Sequence, residues 1–456
     1  MALSLSFLGA AGTVTGSKYL LDDGRRKRLI DCGLFQGFKE LRLRNWSPLP
    51  VDARSIDCVM LTHAHLDHSG FLPLLAKQGF KGPIYSSVAT KDLCGVLLPD
   101  SGHLQEREAD FANRHQYSKH KPALPLYTEE DATNVLSQFR SLPFDKPQSL
   151  ASGETVNLRR AGHILGAASI ELAVAGATTL FSGDLGRYND ATMVDPSPID
   201  RADFLVVEST YGNRRHEGRS PQDALADAIG PTIRKGGTVI IPAFAVGRVQ
   251  SLLFHLGALK EAGRIPSILP IFLDSPMAVD ASGIFCRHLD DHKIPEKDCK
   301  QLCAGTHYVR DSQESKALTA NPMPKVIISA SGMATGGRVL HHLRHYAPDP
   351  KNMILFAGFQ AGGTRGAAMV AGADTIKIFG DAIPVRAKVE NLEMLSAHAD
   401  CDEIMRWLRT AKTPPRTVFV THGEPAASAA LQHRIEAELG WNCVVPNHGQ
   451  TIQLIA

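Results

Sequence analysis

The sequence lacks three features that would settle its class at once: an excess charge of one sign, a membrane-length apolar run and a cysteine framework. Its 49 Lys and Arg residues balance 47 Asp and Glu residues, which leaves a formal net charge of +2. Overall charge therefore gives no argument for a polyanionic partner, which would have to be held by local patches. No apolar run approaches the roughly 20 residues that a membrane helix needs, so we expect no membrane association.

Cysteine is scarce, with eight residues in 456, and the spacings form no disulfide framework. We therefore expect reduced thiols in a cytoplasmic protein. Cys299, Cys303 and His307 recur every four residues, as metal ligands sometimes do. No fourth ligand follows at the spacing of a structural zinc site, so we do not expect this run to bind metal.

What the sequence does contain is the composition of a large globular protein, with 43% apolar and 21% charged residues. Its length predicts about two or three domains. Short strands dominate the first part of the chain, helices and strands alternate in the middle, and short strands return at the end. The alternation indicates a mostly parallel sheet covered by helices. We therefore expect one α/β domain interrupted by another, with segments 1–210, 211–382 and 383–456.

A basic run, Arg25 to Arg28, follows the turn between two predicted strands. The turn contains Gly24 after two aspartates, which is typical of a hairpin. Because such runs usually lie at solvated hairpin tips, we do not interpret this one as a nucleic-acid site.

Histidine is frequent, with 19 residues, and three of them lie in one short motif, LTHAHLDH, from Leu61 to His68. The motif follows a predicted strand, so His63 and His65 point the same way in an extended chain. Asp67 and His68 are expected in the turn that follows, where they can face a second point nearby. Four ligands so close in sequence suit two metals side by side. Imidazole and carboxylate together favour zinc, with manganese and iron as alternatives.

Further candidate ligands end other predicted strands. His163 lies in a segment whose glycines allow close backbone approach, Asp184 ends the strand TTLFSGD, and His422 ends TVFVTH. A carboxylate at position 184 can bridge two ions with its two oxygens. Because these residues end successive strands, they support one another as members of one site. Asp31 ends another strand and is interpreted as a residue that orients a ligand histidine.

The signature HAHLDHSG, with Asp31, His163 and Asp184 in order, resembles the metallo-β-lactamase fold. The resemblance implies an αββα sandwich with a dinuclear metal site at one edge, and it covers about residues 1–210 and 383–456. The superfamily also contains lactamases, thioesterases, lactonases and flavodiiron proteins. The fold by itself therefore does not set the substrate.

Three later motifs resemble the A, B and C motifs of the β-CASP nucleases. They are Glu208 at the end of FLVVE, His398 in LSAHAD and His422 in THGE. The resemblance implies an inserted Rossmann-like β-CASP domain at about 211–382. A histidine in the third motif is similar to the RNA-processing branch. We see no N-terminal KH modules and no C-terminal domain like that of the mRNA 3′-end-processing endonuclease, so the minimal, bacterial form is expected.

The inserted region carries a candidate phosphate site. A predicted strand, KVIISA, leads into a loop rich in Ser, Gly and Thr and then into a helical stretch. Free backbone N–H groups at such a helix start can bind an anion, and Arg338 can add a bidentate phosphate contact. A tight glycine turn beside a solvated helix explains the same pattern. The candidate substrate-binding residues are Ser331, Gly332, Thr335, Gly336, Gly337 and Arg338, and a second such loop spans 358–366.

The resemblance implies a zinc-dependent ribonuclease that hydrolyses phosphodiester bonds of single-stranded RNA by a two-metal mechanism. Two Zn²⁺ per chain are expected, with Mn²⁺ as the alternative. One ion is assigned to His63, His65 and His163, the other to Asp67, His68 and His422, with Asp184 as the bridge. His398 is the candidate general acid, Glu208 hydrogen-bonds its other ring nitrogen, and Asp67 and Asp31 complete the expected catalytic set. The implied products are a 5′-phosphate and a 3′-hydroxyl.

Two alternatives are a metallo-hydrolase of a small ester or thioester, and a non-catalytic RNA-binding subunit of a processing complex. The first leaves the inserted region without a role, and the second usually lacks ligands, none of which is missing here. Endonucleolytic cleavage is favoured, with 5′-exonucleolytic cleavage as a second mode that shares these motifs. The sequence leaves open the choice between these two modes, the RNA target and its sequence preference, the native metal and whether the chain forms a homodimer.

Overall fold

The computed structural model describes residues 2–116, 118–150, 153–299 and 305–455. These form two compact units, one built from the chain up to Arg215 together with the chain from His398 onward, and one from His216–Ala397. The strands are β1 (Leu3–Phe7), β2 (Tyr19–Asp22), β3 (Lys27–Ile30), β4 (Cys58–Met60), β5 (Ile84–Ser86), β6 (Phe139–Ser141), β7 (Gln148–Ser149), β8 (Thr155–Arg160), β9 (Ala168–Val174), β10 (Ala177–Phe181), β11 (Phe204–Glu208), β12 (Val239–Pro242), β13 (Ile271–Leu273), β14 (His307–Tyr308), β15 (Val326–Ser329), β16 (Met353–Phe356), β17 (Thr375–Ile378), β18 (Asp381–Pro384), β19 (Lys388–Asn391), β20 (Thr417–Thr421), β21 (Cys443–Val444) and β22 (Thr451–Ile455).

The α-helices are Lys39–Arg44, Leu66–Ser69, Leu72–Lys77, Val88–His115, Glu129–Val135, Pro221–Arg234, Arg248–Glu261, Pro276–Phe285, Ser312–Ala320, Val339–Tyr346, Arg365–Val370, Cys401–Leu408 and Pro425–Leu439. Short 3₁₀ helices span Ala53–Ser55, Leu136–Gln138, Leu289–Asp291 and Glu393–Leu395. Within the described residues, no helix combines the length and the apolar character needed to cross a bilayer.

The first unit is a sandwich of two seven-stranded sheets, ordered β22-β1-β2-β3-β4-β5-β6 and β21-β20-β11-β10-β9-β8-β7. Apolar side chains alternate along β1, so that Leu3, Leu5 and Phe7 all face the other sheet. The ring of Phe7 lies 5.3 Å from that of Phe419 on β20. Burial of these facing side chains drives the two sheets together.

Helices cover the outer face of the second sheet. Val418 on β20 and Leu205 on β11 pack against Ile404 and Trp407 of the helix Cys401–Leu408. The sandwich therefore has apolar layers on both faces of this sheet, and the ends of its central strands are fixed from two sides. That rigidity positions the side chains that follow β10, β11 and β20.

The second unit has a six-stranded sheet, ordered β14-β13-β15-β12-β16-β19, in which every strand pair is parallel. Neighbouring residues of β12 face opposite apolar clusters: Val239 and Ile241 lie in one, and Ile240 lies in the other. Strands that are apolar on both faces require helices on both sides. The predicted α/β class, a sandwich with an inserted parallel-sheet domain, is confirmed.

The end of the inserted unit lies later in the chain than the predicted boundary at 382. The unit continues to Ala397 because β19 pairs in parallel with β16, with Lys388 opposite Met353. Cys32, Cys58, Cys94, Cys401 and Cys443 are free thiols, and Cys303 lies outside the described residues. The basic run at 25–28 is located at the predicted hairpin between β2 and β3.

Candidate metal centre

The motif from Leu61 to His68 leaves the end of β4 and then forms a single helical turn. His65 is the N-cap of this turn, the helix Leu66–Ser69, and its carbonyl accepts a hydrogen bond from the backbone N–H of His68 at 2.9 Å. The sequence predicts a turn for Asp67 and His68, whereas they lie in this short helix because its backbone hydrogen bonds close on His65. The helix turns both side chains toward the same edge of the sandwich.

Three histidines and one aspartate converge to form the first group of candidate ligands. His65 Nδ1 lies 3.1 Å from His63 Nε2 and 3.2 Å from His163 Nε2. Asp184 Oδ2 lies 3.4 Å from His63 Nε2 and 3.6 Å from His163 Nε2. The structure thus brings together residues that are far apart in sequence and that follow strands of both sheets, β4 of one and β8 and β10 of the other.

A second group lies on the other side of Asp184. His68 Nε2 lies 3.0 Å from His422 Nε2, and Asp67 Oδ2 lies 3.5 Å from His422 Nε2 and 3.9 Å from His68 Nε2. Asp184 Oδ1 lies 3.2 Å from His68 Nε2. One carboxylate oxygen of Asp184 therefore faces each group.

The spacing of these atoms fits zinc. Tetrahedral bonds of about 2.0–2.1 Å place neighbouring ligand atoms about 3.3 Å apart. The distances that join His63, His65, His163 and Asp184 run from 3.1 to 3.6 Å. Ring nitrogens that face one another at such distances cannot both carry protons, so lone pairs converge there. Convergent lone pairs of imidazole and carboxylate are the donor set of a metal site.

The electrostatics of the centre also favour a cation. Burial lowers the pKa of His63 and His163 well below the ordinary histidine value, which keeps both in the neutral form that binds metal. Burial also lowers the pKa of His68, but the carboxylates of Asp184 and Asp31 raise it well above the ordinary value. The carboxylates therefore attract positive charge to this point, and a bound cation would supply it.

Asp31 lies at the end of β3 and contacts the outer side of His68. Its Oδ2 accepts hydrogen bonds from His68 Nδ1 at 2.7 Å and from Ser17 Oγ at 3.2 Å, and its Oδ1 accepts one from the Thr62 backbone N–H at 2.8 Å. Because Nδ1 is held, Nε2 of His68 points into the second group. Asp31 thus acts through His68 as a positioning residue.

His398 and Glu208 form a third cluster beside Asp184. His398 Nδ1 lies 3.1 Å from Glu208 Oε1 and 4.0 Å from Asp184 Oδ2. Glu208 is fixed in turn by the backbone N–H of Leu185, which donates to Oε1 at 2.7 Å. Burial lowers the pKa of His398, but the carboxylates of Glu208 and Asp184 raise it to about 8. In the metal-free protein this imidazole therefore holds a proton near neutral pH.

Three family models match successive parts of the chain. Residues 11–225 match the metallo-β-lactamase superfamily, residues 249–369 match the β-CASP domain, and residues 382–446 match the Zn-dependent metallo-hydrolase RNA specificity domain. Ribonuclease TTHA0252 of Thermus thermophilus is 37% identical over 436 residues, which cover 93% of this chain and 94% of that protein. The chain belongs to the β-CASP RNA-processing nucleases of the metallo-β-lactamase superfamily.

Two further similarities extend this assignment. Transcription termination factor FttA of Pyrococcus abyssi is 30% identical over 419 residues. The match covers 88% of this chain and 62% of FttA. A crystal structure of a protein of unknown function from Enterococcus faecalis V583 matches with a TM-score of 0.54 at 12% identity, over 99% of this chain and 100% of that one. The latter match supports the fold alone. The family predicted from the sequence is confirmed.

Two threonines of the β-CASP protein contribute to the centre without having been predicted. Thr62 Oγ1 donates to Asp31, and it lies 3.1 Å from His63 Nδ1. Thr210 Oγ1 lies 3.2 Å from His422 Nδ1. Each threonine hydroxyl thus lies within hydrogen-bond distance of Nδ1 of a candidate ligand histidine. The only signal for Thr62 in the sequence was its position next to His63. The contact between Thr210 and His422 forms because β11 pairs with β20, and this pairing is not visible in the sequence.

In the glycine-rich loop of the β-CASP domain, the contacts of Arg338 differ from the predicted phosphate contact. Its guanidinium donates to Asp274 Oδ1 at 2.7 Å and to the carbonyls of Val309 and Arg310 at 3.2 and 2.6 Å. Asp274 is fully buried, and it also accepts from His342 Nε2 at 2.7 Å. Arg338 therefore neutralises a buried carboxylate of its own unit. This geometry does not favour the phosphate contact that we expected of the Arg338 side chain.

The remaining loop residues form a compact local structure. Ser331 Oγ lies 2.8 Å from Thr335 Oγ1, and the positive φ of Gly337, 78°, turns the chain into the helix Val339–Tyr346. A side chain at Gly332 would meet the ring of Phe244. The second predicted loop lies against the first, since Arg365 donates to the carbonyl of Thr335 at 3.0 Å. Gly336 lies in the same bend.

Proposed function

We propose that the protein is a ribonuclease that hydrolyses phosphodiester bonds of single-stranded RNA with two zinc ions. The observation that carries the proposal is the convergence of seven buried or half-buried ligand side chains beside the His398–Glu208 pair. The match of residues 382–446 to an RNA specificity domain supports RNA as the substrate, as does the similarity to a protein named ribonuclease. We also propose that the protein is cytoplasmic. Both a monomer and a homodimer are compatible with the proposed function.

Each of the two ligand groups would hold one ion. His63, His65 and His163 would hold one ion, Asp67, His68 and His422 would hold the other, and Asp184 would contact both. Bound zinc supplies Lewis acidity, which stabilises charge on the phosphodiester and makes hydroxide available near neutral pH. Asp31 and Thr210 keep the outer nitrogens of His68 and His422 occupied, so their inner nitrogens stay aimed at the centre.

His398 is proposed to donate the proton that the leaving group needs. Hydrolysis adds an oxygen from water to phosphorus and breaks the bond from phosphorus to the ribose O3′. The departing O3′ is a poor leaving group unless it takes up a proton, which His398 is placed beside the centre to donate. The products are then a 5′-phosphate and a 3′-hydroxyl. A correctly placed general acid contributes about 10²- to 10⁴-fold in rate.

Glu208 determines which nitrogen of His398 can act. Since Oε1 of Glu208 lies 3.1 Å from Nδ1, that nitrogen keeps its proton against the carboxylate. Nε2 is left as the atom that donates to the leaving oxygen. The hydrogen bond from Leu185 prevents Glu208 from following a moving imidazole, which keeps the donor in place.

Cleavage is proposed to be endonucleolytic, with 5′-exonucleolytic removal as a second mode. A circular single-stranded RNA separates the two, because it has no end from which an exonuclease can start. Zinc-loaded protein is incubated with labelled circular RNA, linear RNA of the same sequence, linear DNA of the same sequence and a thioester, each with and without chelator.

The expected result is cleavage of both RNAs, slow or no cleavage of the DNA and the thioester, and loss of all activity with chelator. His398→Ala is the test variant, and His433→Ala, an exposed histidine on the helix Pro425–Leu439, is its control. Cleavage of the thioester alone would assign a small-molecule hydrolase. RNA binding without any cleavage by zinc-loaded protein would assign a non-catalytic RNA-binding subunit.

A further inference from the structure

The segment from Phe38 to Trp46 exposes large apolar side chains that the fold of the chain does not use. Phe38, Leu43 and Trp46 are 53%, 53% and 58% exposed. The segment contains the six-residue helix Lys39–Arg44, in which no residue is buried. An isolated helix of this length is unstable in water unless something else holds it.

The segment is closed at its base by hydrogen bonds between Asn45 and Phe35. Buried Asn45 donates from Nδ2 to the carbonyl of Phe35 at 2.8 Å, and its Oδ1 accepts from the backbone N–H of Phe35 at 2.9 Å. This pair of hydrogen bonds closes the segment into a loop that presents its side chains outward. Its exposed rings therefore belong to a preformed surface, which loses little entropy when a ligand binds.

The positive charges on this surface have no ion-pair partner, although the segment also carries the exposed Glu40 and the Arg44 guanidinium lies 5.5 Å from the centre of the Phe35 ring. In the part of the chain that the structure describes, Lys39, Arg42 and Arg44 have no carboxylate oxygen within 4.0 Å. The basic run at the β2–β3 hairpin is different, since Arg26 pairs with Asp57 and Lys27 pairs with Asp22. Of these two basic surfaces, only the segment Phe38–Trp46 combines exposed aromatic rings with positive charges that lack an ion-pair partner.

Direct contacts connect the surface to the metal centre. The backbone N–H of His422 donates to the carbonyl of Ala10 at 2.7 Å, at the start of the loop 10–16. At the other end of that loop, Thr15 Oγ1 accepts from the backbone N–H of Gln36 at 3.1 Å. Gly16 packs so closely on the Phe35 ring that a side chain there would clash. One short loop therefore separates a metal-ligand histidine from the base of the surface.

From these observations we propose that Phe38–Trp46, the aromatic–basic segment, binds the single-stranded RNA substrate outside the metal centre. Bases stack on the rings of Trp46 and Phe38, and phosphates pair with Lys39, Arg42 and Arg44. Stacking on aromatic rings beside a positive groove is how proteins bind single strands without reading sequence. The inference rests on the proposed ribonuclease function, because it supplies that enzyme with a substrate-binding surface.

Tryptophan fluorescence tests the stacking directly. Trp46 is the exposed tryptophan, Trp407 is buried and Trp441 is half-buried. In zinc-loaded protein carrying His398→Ala, which keeps RNA intact, a 20-nucleotide oligouridine should quench the fluorescence, and the additional substitution Trp46→Leu should remove the quenching. Leucine keeps an apolar side chain but has no aromatic face, so it separates stacking from hydrophobic docking of a protein.

Affinity and activity give independent readouts. Trp46→Leu should raise the Kd for the oligonucleotide about fivefold or more. Arg42→Gln with Arg44→Gln should lower the slope of log Kd against log salt by about 1.4. The matched control, Arg26→Gln with Lys27→Gln, removes the same charge from ion-paired positions and should change neither quantity. With His398 retained, the control Arg26→Gln with Lys27→Gln should hydrolyse bis(p-nitrophenyl) phosphate at the wild-type rate.

The outcomes separate this inference from the proposed function. Wild-type protein that cleaves no RNA would contradict the ribonuclease function. If wild-type protein cleaves RNA but Trp46→Leu leaves quenching and Kd unchanged, the aromatic–basic segment does not bind RNA. If Trp46→Leu converts a dimer into a monomer at unchanged Kd, the segment is an interface with a second copy of the chain, and the inference is overturned.

Discussion

His398 Nδ1 lies 3.1 Å from Glu208 Oε1, although the two residues are 190 positions apart in the chain. Glu208 ends β11 and His398 begins the last part of the first unit, so an entire second unit is inserted between them. The pair adjoins Asp184, which faces both candidate ligand groups. A proton-holding imidazole is thereby placed next to a centre suited to zinc.

Glu208→Gln should lower turnover about 10- to 100-fold while zinc content stays unchanged, because the amide holds His398 less firmly and no longer supports its positive charge. Single-turnover cleavage of a labelled RNA and elemental analysis measure the two quantities. Glu171→Gln is the control, since that carboxylate lies in the same sheet and contacts Asn157. Unchanged turnover in Glu208→Gln would remove its positioning role.

Asp31→Asn should weaken zinc binding about 10- to 100-fold, because His68 loses the carboxylate that fixes its ring. Competition with a chromophoric chelator measures the affinity, and excess zinc should restore part of the activity. Asp203→Asn, which alters a carboxylate bound to the Thr178 backbone N–H, is the control. Wild-type affinity in Asp31→Asn would contradict the assignment.

Zinc should stabilise the protein against heat. At a free concentration of about 100 times Kd, a ligand that binds only the folded state adds about 2.7 kcal/mol. For a unit of this size we expect a rise in Tm of about 5 °C. Differential scanning calorimetry of metal-free and zinc-loaded protein checks this shift. Asp184→Asn should abolish most of the rise, and an equal rise in that variant would show that zinc stabilises the fold from another site.

Arg338→Ala should destabilise the second unit by about 2–4 kcal/mol, because Asp274 is left buried without its guanidinium partner. Arg344→Ala, in the helix that Arg338 precedes, breaks an ion pair with Asp381 in which both side chains are more than half exposed, and should cost about 1 kcal/mol or less. Urea denaturation followed by circular dichroism gives both values. An Arg338→Ala variant of full stability but with weakened RNA binding would restore the predicted phosphate role.

The sequence was sufficient to predict which candidate ligand side chains converge, because ligand chemistry is carried by few residue types at strand ends. His63, His65, Asp67 and His68 are local in sequence, and the end of β4 together with the helix Leu66–Ser69 places all four. The more distant Asp184 and His422 were predictable because each follows an apolar strand, and His163 because glycines flank it. These features depend on periodicity and residue type, both of which are visible in one sequence.

The contacts around the ligands were not predictable in the same way. Arg338 follows a glycine-rich loop, as a phosphate-binding arginine does, but its partner Asp274 lies 64 positions earlier and meets it only through the pairing of β13 with β15. Thr210 contacts His422 because β11 and β20 are neighbours in register. The exposure of Trp46 depends on the Asn45 hydrogen bonds, since the sequence pattern of the segment alone does not show which of its faces is covered.

Anomalous diffraction at the zinc edge, from crystals of zinc-loaded wild-type protein, tests the metal centre most directly. We expect two peaks, one in contact with His63, His65 and His163, the other in contact with Asp67, His68 and His422, and both next to Asp184. Crystals in which zinc is found only at surface positions, or in which these seven side chains surround no anomalous peak, would contradict the proposed centre and with it the assignment of a zinc-dependent ribonuclease.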